Sequence, residues 1–464
     1  MFSSKTYIER RNELKKIMKS GILFFPGAVD TPMNYRANTY KFRQDSTFLY
    51  YFGIDSPDLA AVIDVDNNRE IIFGNDRDID DIVWMGPEKL ISEKAAEVGV
   101  LDTRPMSQLT NSLKSHITNG EKIHHLPQHQ AQIKIEFEKW LEINPNQVDS
   151  KSSKEFISAV VKQRSIKSSE EVAEIEKALE ISYLMNTFAM KKSAPGVLEK
   201  QIYGSIEGLT LGLGNGVSFP IIFSINGETL HNHNHENTMK AGDLALLDSG
   251  AESLLHYASD ITRTFPVSGK FSDKQKDIYN IVLNSQLNAI NSIKPDVSYK
   301  EIHLQTAKII ASGLKDLGLM KGNIDDAVNE GAHALFYPHG LGHMLGLDVH
   351  DMEGLGEGFV GYDETTQRSE QFGLAYLRLA KNLHTGFVIT VEPGIYFIPQ
   401  LYNIWKSENK LSNFINYDKV ANYLDFGGIR IEDDVLVTEN GSRVLGKLPI
   451  PKTIEEVESA CGNS

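Results

Sequence analysis

Cysteine is nearly absent from this sequence of 464 residues, and this scarcity restricts the class of protein. It occurs once, at Cys461, so an internal disulfide is excluded. Together with a charged N-terminal stretch and no recognisable signal peptide, this predicts a cytoplasmic protein. Long hydrophobic runs are absent too. No apolar run approaches the roughly 20 residues that a bilayer-spanning helix needs, so we expect no membrane partner.

Basic charge is also scarce. Lysine and arginine total 47 against 62 aspartates and glutamates, which gives a formal net charge of −15. A nucleic-acid-binding surface or an anionic membrane partner would require a basic face, so neither is expected. A small neutral or zwitterionic substrate suits this composition better.

The length of the chain exceeds what a single hydrophobic core usually supports, so we expect two domains. The composition turns polar and serine-rich at 147–154, and Ser168-Ser-Glu-Glu171 then supplies an N-cap and first-turn acids for a long helix. The predicted division is an N-terminal domain at 1–165, a larger domain at 166–448 and a C-terminal tail at 449–464.

The first domain is expected to be mixed α/β. Residues 9–19 predict an amphipathic helix, 21–25 a strand, and the aromatic-rich run 40–53 a turn and strand. Apolar runs at 60–65 and 70–73 flank Asp66-Asn-Asn-Arg69, which predicts a β-hairpin. Most aromatics here are expected to pack in the core, and Trp84 is the exception kept as a functional candidate.

The larger domain contains an internal similarity. Pro195-Gly-Val-Leu-Glu-Lys-Gln-Ile202 and Pro295-Asp-Val-Ser-Tyr-Lys-Glu-Ile302 share proline, valine, lysine and isoleucine, and each follows a long predicted helix, at 170–192 and 273–293. Shared sequence and shared element order favour a duplication. The domain is therefore expected to consist of two similar helix-and-strand halves, with a site between them that draws residues from both.

Two aspartates dominate the first half. Asp248 ends one apolar run and Asp260 opens the next. If the chain reverses around Leu254, the two residues lie directly opposite each other on antiparallel strands, with Cβ atoms roughly 5 Å apart. Two carboxylates at that separation repel, so they require a shared proton or a cation.

The second half supplies further candidate ligands, which favour the cation. His343 lies in a glycine-rich stretch, and Glu392 and Glu432 lie in strand-like apolar runs. With Asp248 and Asp260 they provide four carboxylates and one imidazole, a ligand charge that balances two divalent cations. This donor set suits Mn²⁺, and Zn²⁺, Co²⁺ or Fe²⁺ could take its place.

These residues carry a resemblance to a known family. Asp248-Ser-Gly250, Ser259-Asp-Ile-Thr-Arg-Thr-Phe265, His339-Gly-Leu-Gly-His343, Val391-Glu-Pro-Gly394 and Ile429-Arg-Ile-Glu-Asp433 resemble, in order, the motifs of the pita-bread metallopeptidases. The resemblance covers nearly the whole chain. Residues 40–48 and 84–86 look like the extra domain of the proline-specific branch, aminopeptidase P and Xaa-Pro dipeptidase. The implied fold is α/β (α+β), with a mixed α/β N-terminal domain before a pita-bread domain of two duplicated halves.

The resemblance implies a role for each matched residue. Asp248, Asp260, His343, Glu392 and Glu432 would bind two metal ions, with Asp260 and Glu432 bridging them, and the ions would activate a hydroxide and polarise the scissile carbonyl. Glu392 would also accept and shuttle the proton. The remaining implied roles are substrate or intermediate binding by His231 and His350, proline contact by His339, and orientation of the ligands by Arg430 and Tyr396. His233 and His235 lie beside His231 and leave that assignment open, although the spacing favours His231.

The expected activity is hydrolysis of the Xaa-Pro bond at the N-terminus of peptides, with a proline-containing peptide as the partner molecule. The spacing of His231 favours an aminopeptidase, whereas Arg378, Phe426-Gly-Gly-Ile-Arg430 and the long insert 399–424 look like Xaa-Pro dipeptidase, so overlapping activity is expected. Two further functions stay open, a pita-bread binding protein without catalysis and a metal-free hydrolase. The resemblance also implies a homodimer or larger oligomer, in which Trp84 reaches a neighbouring site.

Overall fold

A computed structural model describes residues 1–462, and its chain divides into two compact units. The first unit comprises residues 1–164 with 352–359, and the second comprises 165–351 with 360–464. Within the described residues, no helix is long and apolar enough to cross a membrane.

The first unit is built on one mixed sheet of five strands. The strands are β1 (Ile22–Pro26), β2 (Ala60–Asp64), β3 (Arg69–Phe73), β4 (Asp102–Arg104) and β5 (Ile123–His124), in the spatial order β4-β3-β2-β1-β5. Its helices are α1 (Ser4–Met18), α2 (Ser46–Phe52), α3 (Ile79–Met85), α4 (Ile91–Glu97), α5 (Leu109–Thr118), α6 (Ala131–Leu141) and α7 (Lys154–Ser165). The predicted hairpin is confirmed, because β2 and β3 pair antiparallel with Ile63 opposite Glu70.

The aromatic run at 40–53 corrects one expectation, since it holds the helix α2 and not a strand. The Asp45 side chain accepts a hydrogen bond from the Phe48 amide (2.9 Å), and Gly53 ends the helix with φ 62°. All seven residues of the helix are buried, so no alternation of exposed and buried positions exists. An N-cap aspartate and a left-handed glycine set the conformation here against the strand preference of aromatic residues.

The second unit contains two long helix pairs, and each pair is followed along the chain by strands. Its helices are α8 (Ser169–Lys192), α9 (Glu199–Leu213), α10 (Asp273–Ser292), α11 (Tyr299–Asp316), α12 (Ile324–Asn329), α14 (Pro399–Ser407), α15 (Tyr417–Val420) and α16 (Ile454–Cys461). The short helix α13 (Glu357–Val360) has its first three residues in the first unit and its last residue in the second. Its strands are β6 (Ile222–Ser224), β7 (Leu244–Ser249), β8 (Ile261–Pro266), β9 (Val388–Val391), β10 (Gly394–Tyr396), β11 (Gly428–Arg430), β12 (Asp433–Thr438) and β13 (Gly441–Val444). They form the sheets β6-β7-β8, β13-β12-β9 and β10-β11.

The long helix predicted to begin after Ser168 is α8. Ser168 Oγ accepts from the Glu171 amide (3.3 Å), and the Glu171 carboxylate accepts from the Ser168 amide (2.9 Å), which completes a capping box. The segment predicted as a tail contains α16, whose Val457 and Cys461 are buried. Residues 463–464 of that predicted tail lie outside the described part of the chain.

The two matching sequence segments have the same backbone structure. Gly196 and Asp296 both adopt left-handed conformations, with φ of 91° and 66°, between the paired helices α8–α9 and α10–α11. The amides at both positions donate to a later segment of their own half, Gly196 to Met239 O (2.8 Å) and Asp296 to Leu383 O (2.9 Å). Equivalent hydrogen bonds at equivalent positions support the predicted duplication.

The β7–β8 hairpin corrects a second expectation, its register. Asp248 pairs with Thr262, and Ser249 with Ile261, so Asp260 is not directly opposite Asp248. The reversal is closed by hydrogen bonds between Ser253 and Tyr257 and by a left-handed His256 (φ 66°), which centres it one residue later than expected. A shift of two positions preserves the strand face, so both aspartates still project to the same side.

Candidate metal centre

Asp248 and Asp260 are brought together by the end of the β7–β8 ladder. Both carboxylates are buried, at 9% and 4% exposure. Gly250 lies in this stretch, where a Cβ atom would overlap the backbone oxygen of Ser259, so only glycine allows the chains to converge. The Asp260 amide donates to Asp434 Oδ2 (3.1 Å), which fixes the backbone from which Asp260 projects.

The second half contributes three more ligand candidates at the ends of its strands. Glu392 follows β9, and Glu432 lies in the short link between β11 and β12. His343 is held against β9, because its amide donates to Thr390 Oγ1 (3.1 Å) and its carbonyl accepts from the Thr390 amide (3.0 Å). Three of the candidates, Asp260, His343 and Glu432, each offer one donor atom, and these three atoms lie within 4.8 Å of one another.

The imidazole of His343 is oriented by the backbone. Its Nδ1 lies 3.0 Å from Met344 O, and a carbonyl only accepts, so Nδ1 carries the proton of the neutral ring. The lone pair of Nε2 then faces carboxylate oxygens, 3.4 Å from Asp260 Oδ2 and 3.7 Å from Glu392 Oε1. A lone pair directed at anionic oxygens is favourable only with a cation or a proton between them.

The carboxylates raise one another's pKa. Burial raises the pKa of Asp260 well above its usual range, and Glu432 and Asp248 add to the effect. Burial raises the pKa of Glu432 in the same way, with further contributions from Glu392 and Asp248. The pKa of Glu392 rises to about 7, mainly through burial. Such a cluster binds a positive charge in preference to remaining fully ionised alone.

The donor set fits a divalent cation. Three carboxylate oxygens of the candidate ligands are buried and have no hydrogen-bond partner in the described part of the chain, namely Asp248 Oδ1, Asp260 Oδ1 and Glu432 Oε1. Buried polar atoms are normally paired, and oxygen ligands with one imidazole are the donors that a divalent metal ion prefers. The cluster therefore has the donor atoms that would hold a divalent metal ion.

A directed chain of hydrogen bonds joins Asp248 to His339. Arg430 Nη2 donates to Asp248 Oδ2 (2.6 Å), and Arg430 Nη1 donates to Tyr396 Oη (2.9 Å). Burial raises the pKa of Tyr396 to about 12 and lowers that of His339 to about 3, so the phenol keeps its proton and the imidazole is neutral. Since His339 Nδ1 donates to Gly340 O (2.8 Å), Tyr396 donates to His339 Nε2 (2.9 Å).

A cavity of about 570 Å³ opens onto the five candidate ligands and is also lined by His231, His233, His350, Arg378 and apolar side chains. His231 is at its exposed edge, and partial desolvation with a smaller effect of Arg430 lowers its pKa. The ring of His350 packs edge-on against His343, with centroids 4.4 Å apart.

The sequence left open which of three neighbouring histidines faces the site, and their positions in the structure exclude one of them. His235 stacks on Tyr203 with centroids 4.2 Å apart, and its Nδ1 lies 3.0 Å from Phe223 O, so this ring has a structural role. His231 and His233 both line the cavity. Trp84 belongs to the first unit, in α3, where its side chain is 87% exposed.

Two threonines that support the ligands were not foreseen from the sequence. Thr262 Oγ1 donates to Glu432 Oε2 (2.6 Å) and accepts from Arg430 Nε (3.2 Å), while Thr390 holds the His343 backbone. Each threonine lies two positions from an acidic ligand, and this alternation could have identified both. The apolar wall residues Phe372 and Leu401 have no comparable sequence signal.

Comparison with known proteins shows the family of the chain. The profile of metallopeptidase family M24 matches residues 173–439, and that of the aminopeptidase P N-terminal domain matches residues 7–124. The chain is similar to an Xaa-Pro aminopeptidase of Escherichia coli, with 31% identity over 98% of this chain and 97% of the relative. It is also similar to a human Xaa-Pro dipeptidase, with 30% identity over 97% of this chain and 90% of the relative.

Solved structures of aminopeptidase P have a fold similar to that of this chain. A variant of E. coli aminopeptidase P has a TM-score of 0.81 and 30% identity, over 99% of this chain and 98% of that one. A zinc-substituted E. coli aminopeptidase P in complex with product has a TM-score of 0.81 and 29% identity, with the same coverage. The predicted fold class, an N-terminal mixed α/β domain followed by a pita-bread domain, is confirmed.

Proposed function

The chain belongs to metallopeptidase family M24 and carries an aminopeptidase P N-terminal domain, and from this premise we propose that it is a metal-dependent Xaa-Pro aminopeptidase. The observation that carries the proposal is the set of four carboxylates and one imidazole that lines a single cavity with apolar walls. Hydrolysis of the bond between the N-terminal residue and a following proline is the proposed reaction.

We propose that Asp248, Asp260, His343, Glu392 and Glu432 hold two divalent ions, with Mn²⁺ as the first choice. The charge supports this number, because four carboxylates balance two doubly charged cations. When bound, such ions polarise a carbonyl and make water a stronger nucleophile near neutral pH. Zn²⁺, Co²⁺ and Fe²⁺ are compatible with the same donors.

The protein's own residues then bind the substrate and move protons. Glu392 is the proposed proton acceptor, and its Oε2 lies 3.8 Å from His339 Nδ1. His231 and His350 line the cavity, and their proposed role is to hydrogen-bond the substrate carbonyl. Arg430 is engaged with Asp248 and Tyr396, so its role is to orient that ligand.

Proline explains why recognition relies on an apolar pocket. An Xaa-Pro bond is a tertiary amide without N–H, so a donor that peptidases usually recognise is missing. The neutral imidazole of His339 is compatible with packing against the proline ring, since an uncharged ring needs less hydration. Binding of the ring and of the peptide terminus can replace the missing amide contact.

The test is metal-dependent turnover. After dialysis against a chelator, the protein is expected to lose hydrolysis of Ala-Pro-Ala and to regain it with Mn²⁺, while Ala-Ala-Ala remains uncut. Bound metal is counted by elemental analysis of the purified protein. No bound divalent ion together with no activation by any of the four metals would eliminate the proposal.

Xaa-Pro dipeptidase activity is the second candidate, and it is favoured by one observation, the position of Arg378 in the cavity wall. A guanidinium there could bind the proline carboxylate of a dipeptide through charge-assisted hydrogen bonds, which contribute about 1.5–3 kcal/mol. A strong preference for Ala-Pro over Ala-Pro-Ala that disappears in Arg378→Ala would make the dipeptidase the main activity. Arg368→Ala, ten positions earlier, is the matched control for loss of an arginine.

We further propose a cytoplasmic homodimer or larger oligomer. The helix α3 has no buried residue, and Ile79, Val83 and Trp84 are 71%, 72% and 87% exposed. An apolar helix face of this kind is typical of a contact surface between proteins. Light scattering at micromolar concentration should give at least a dimer that Trp84→Glu weakens, and a fully active monomer would contradict this.

A further inference from the structure

The guanidinium of Arg263, which contacts the backbone of Glu432, has a hydrogen-bond acceptor for every N–H group. The side chain is 1% exposed, and each of its five N–H groups has a partner. Nη1 donates to Thr262 O (2.9 Å) and to Glu432 O (2.6 Å). A fully paired buried guanidinium fixes the atoms around it, because none of them can move without breaking a charge-assisted bond.

The other partners of Arg263 are two carbonyls of the C-terminal segment and the Asp433 carboxylate at the start of β12. Nε donates to Pro451 O (2.9 Å), and Nη2 donates to Ile450 O (3.2 Å) and to Asp433 Oδ1 (2.7 Å). One side chain thus connects residues 450–451 to the backbone of a candidate metal ligand. The family match ends at residue 439, so this segment lies beyond it.

Lys452 makes a second connection to the same place. Its Nζ donates to Asp433 Oδ2 (2.6 Å), an oxygen that also accepts from Gln286 Nε2 (2.8 Å). Asp433 is 4% exposed and directly follows Glu432. Its two carboxylate oxygens are therefore held by two cations, Arg263 and Lys452, that approach from opposite ends of the carboxylate.

We infer that Arg263, Asp433 and Lys452 are positioning residues that tie the segment 450–452 to Glu432, so that affinity for the divalent ion depends on this C-terminal segment. The inference rests on the proposed metal site and extends it. Glu432 itself is the proposed ligand, and its backbone carbonyl and amide are held by Arg263 and by Thr262 O (3.1 Å). Residues that hold ligands in this way typically change metal affinity about 10–100-fold when they are replaced.

Lys452→Met is the primary test, because it removes the ammonium from the Asp433 carboxylate and keeps most of the side-chain length. Affinity for Mn²⁺ is measured by calorimetric titration of the metal-free full-length protein, and thermal unfolding is measured in parallel with chelator present. Lys452→Met should bind Mn²⁺ about tenfold more weakly than wild type. Lys452→Arg, which keeps the charge, should bind within about threefold of it.

Lys447→Met is the matched control, since Lys447 belongs to the same C-terminal stretch but pairs with Glu180 at the surface (3.0 Å). Its affinity should remain within about twofold of wild type. If Lys452→Met does not fold, Lys452→Gln, which retains N–H donors, is judged by the same titration. An unchanged affinity in the folded variant, even with a lower unfolding temperature, would overturn the inference. Failure of the wild-type protein to bind Mn²⁺, Zn²⁺ or Co²⁺ would instead reject the metal site and the proposed function.

Discussion

His333 offers a sharp test of how burial of a titratable group limits stability. It lies in a short turn of 3-10 helix at residues 332–335, is 0% exposed, and neither ring nitrogen has a hydrogen-bond partner among the described residues. Burial lowers its pKa from 6.5 to about 4. The neighbouring His303, with its ring centroid 6.3 Å away, is also buried and has a lowered pKa.

The sign of the effect follows from linkage. A pKa that is lower in the folded state means that the unfolded chain binds more protons at His333. The lowered pKa of this buried neutral histidine therefore costs nothing above pH 6.5, and it lowers the free energy of unfolding progressively as the pH falls towards 4. Between pH 8 and pH 5, His333 alone should cost about 2 kcal/mol in the free energy of unfolding. His333→Leu removes this cost, and it also removes two unpaired polar atoms from the core with little change in volume.

The measurement is urea denaturation at pH 5, 6 and 8 with chelator present, so that metal binding does not contribute. Tryptophan fluorescence follows the transition, because Trp405 belongs to the same hydrophobic core as Ala332 and Leu335. Relative to wild type, His333→Leu should gain about 2 kcal/mol more at pH 5 than at pH 8. His129→Leu, at an exposed histidine, should reproduce the wild-type pH dependence. An identical pH dependence in His333→Leu and wild type would refute the reasoning.

Three further predictions concern the site and its framework. Asp260→Ala and Glu432→Ala should each abolish turnover of Ala-Pro-Ala while far-ultraviolet circular dichroism stays native, and activity within about tenfold of wild type would point to a different site. Gly250→Ala should lower the free energy of unfolding by about 3 kcal/mol or more because its Cβ overlaps the backbone, whereas Gly204→Ala in α9, where the space is open, should raise it by up to about 1 kcal/mol. Ser168→Ala should cost about 1 kcal/mol by removing the cap of α8, and Ser168→Asp should largely restore it.

Local patterns predicted those elements whose causes are local. The start of α8 follows from Ser168 and Glu171, and the β2–β3 hairpin follows from alternation around a polar loop. The β7–β8 register depended on the turn conformation at His256, which a count of residues to a midpoint does not contain. The formation of helix α2 depended on its two capping residues. Because every side of this helix is buried, its sequence has no alternation of apolar and polar residues from which a helix could be predicted.

In the site, too, some residues could be predicted from local sequence and others depended on the tertiary structure. The ligand candidates were recognisable because carboxylates at the ends of apolar runs are unusual and because the motifs resemble those of a family. The partners of Arg263 could not be predicted, since Ile450 and Pro451 contribute only backbone carbonyls, and a carbonyl has no sequence signature. Likewise the role of Tyr396 as a donor to His339 depended on the tautomer of that histidine, which the carbonyl of the adjacent Gly340 sets through the local backbone conformation.

The ligands come from widely separated parts of the chain, as the Thr262–Glu432 hydrogen bond, which joins residues 170 positions apart, makes clear. An ion held by Asp260, His343 and Glu432, as proposed, would therefore act as a removable cross-link that closes a long loop. At a free ion concentration of about 100 times the dissociation constant, it would stabilise the fold by about 2.7 kcal/mol. The abundance of the protein should then follow the metal supply of the cell, because chains without metal would unfold more often and be degraded sooner.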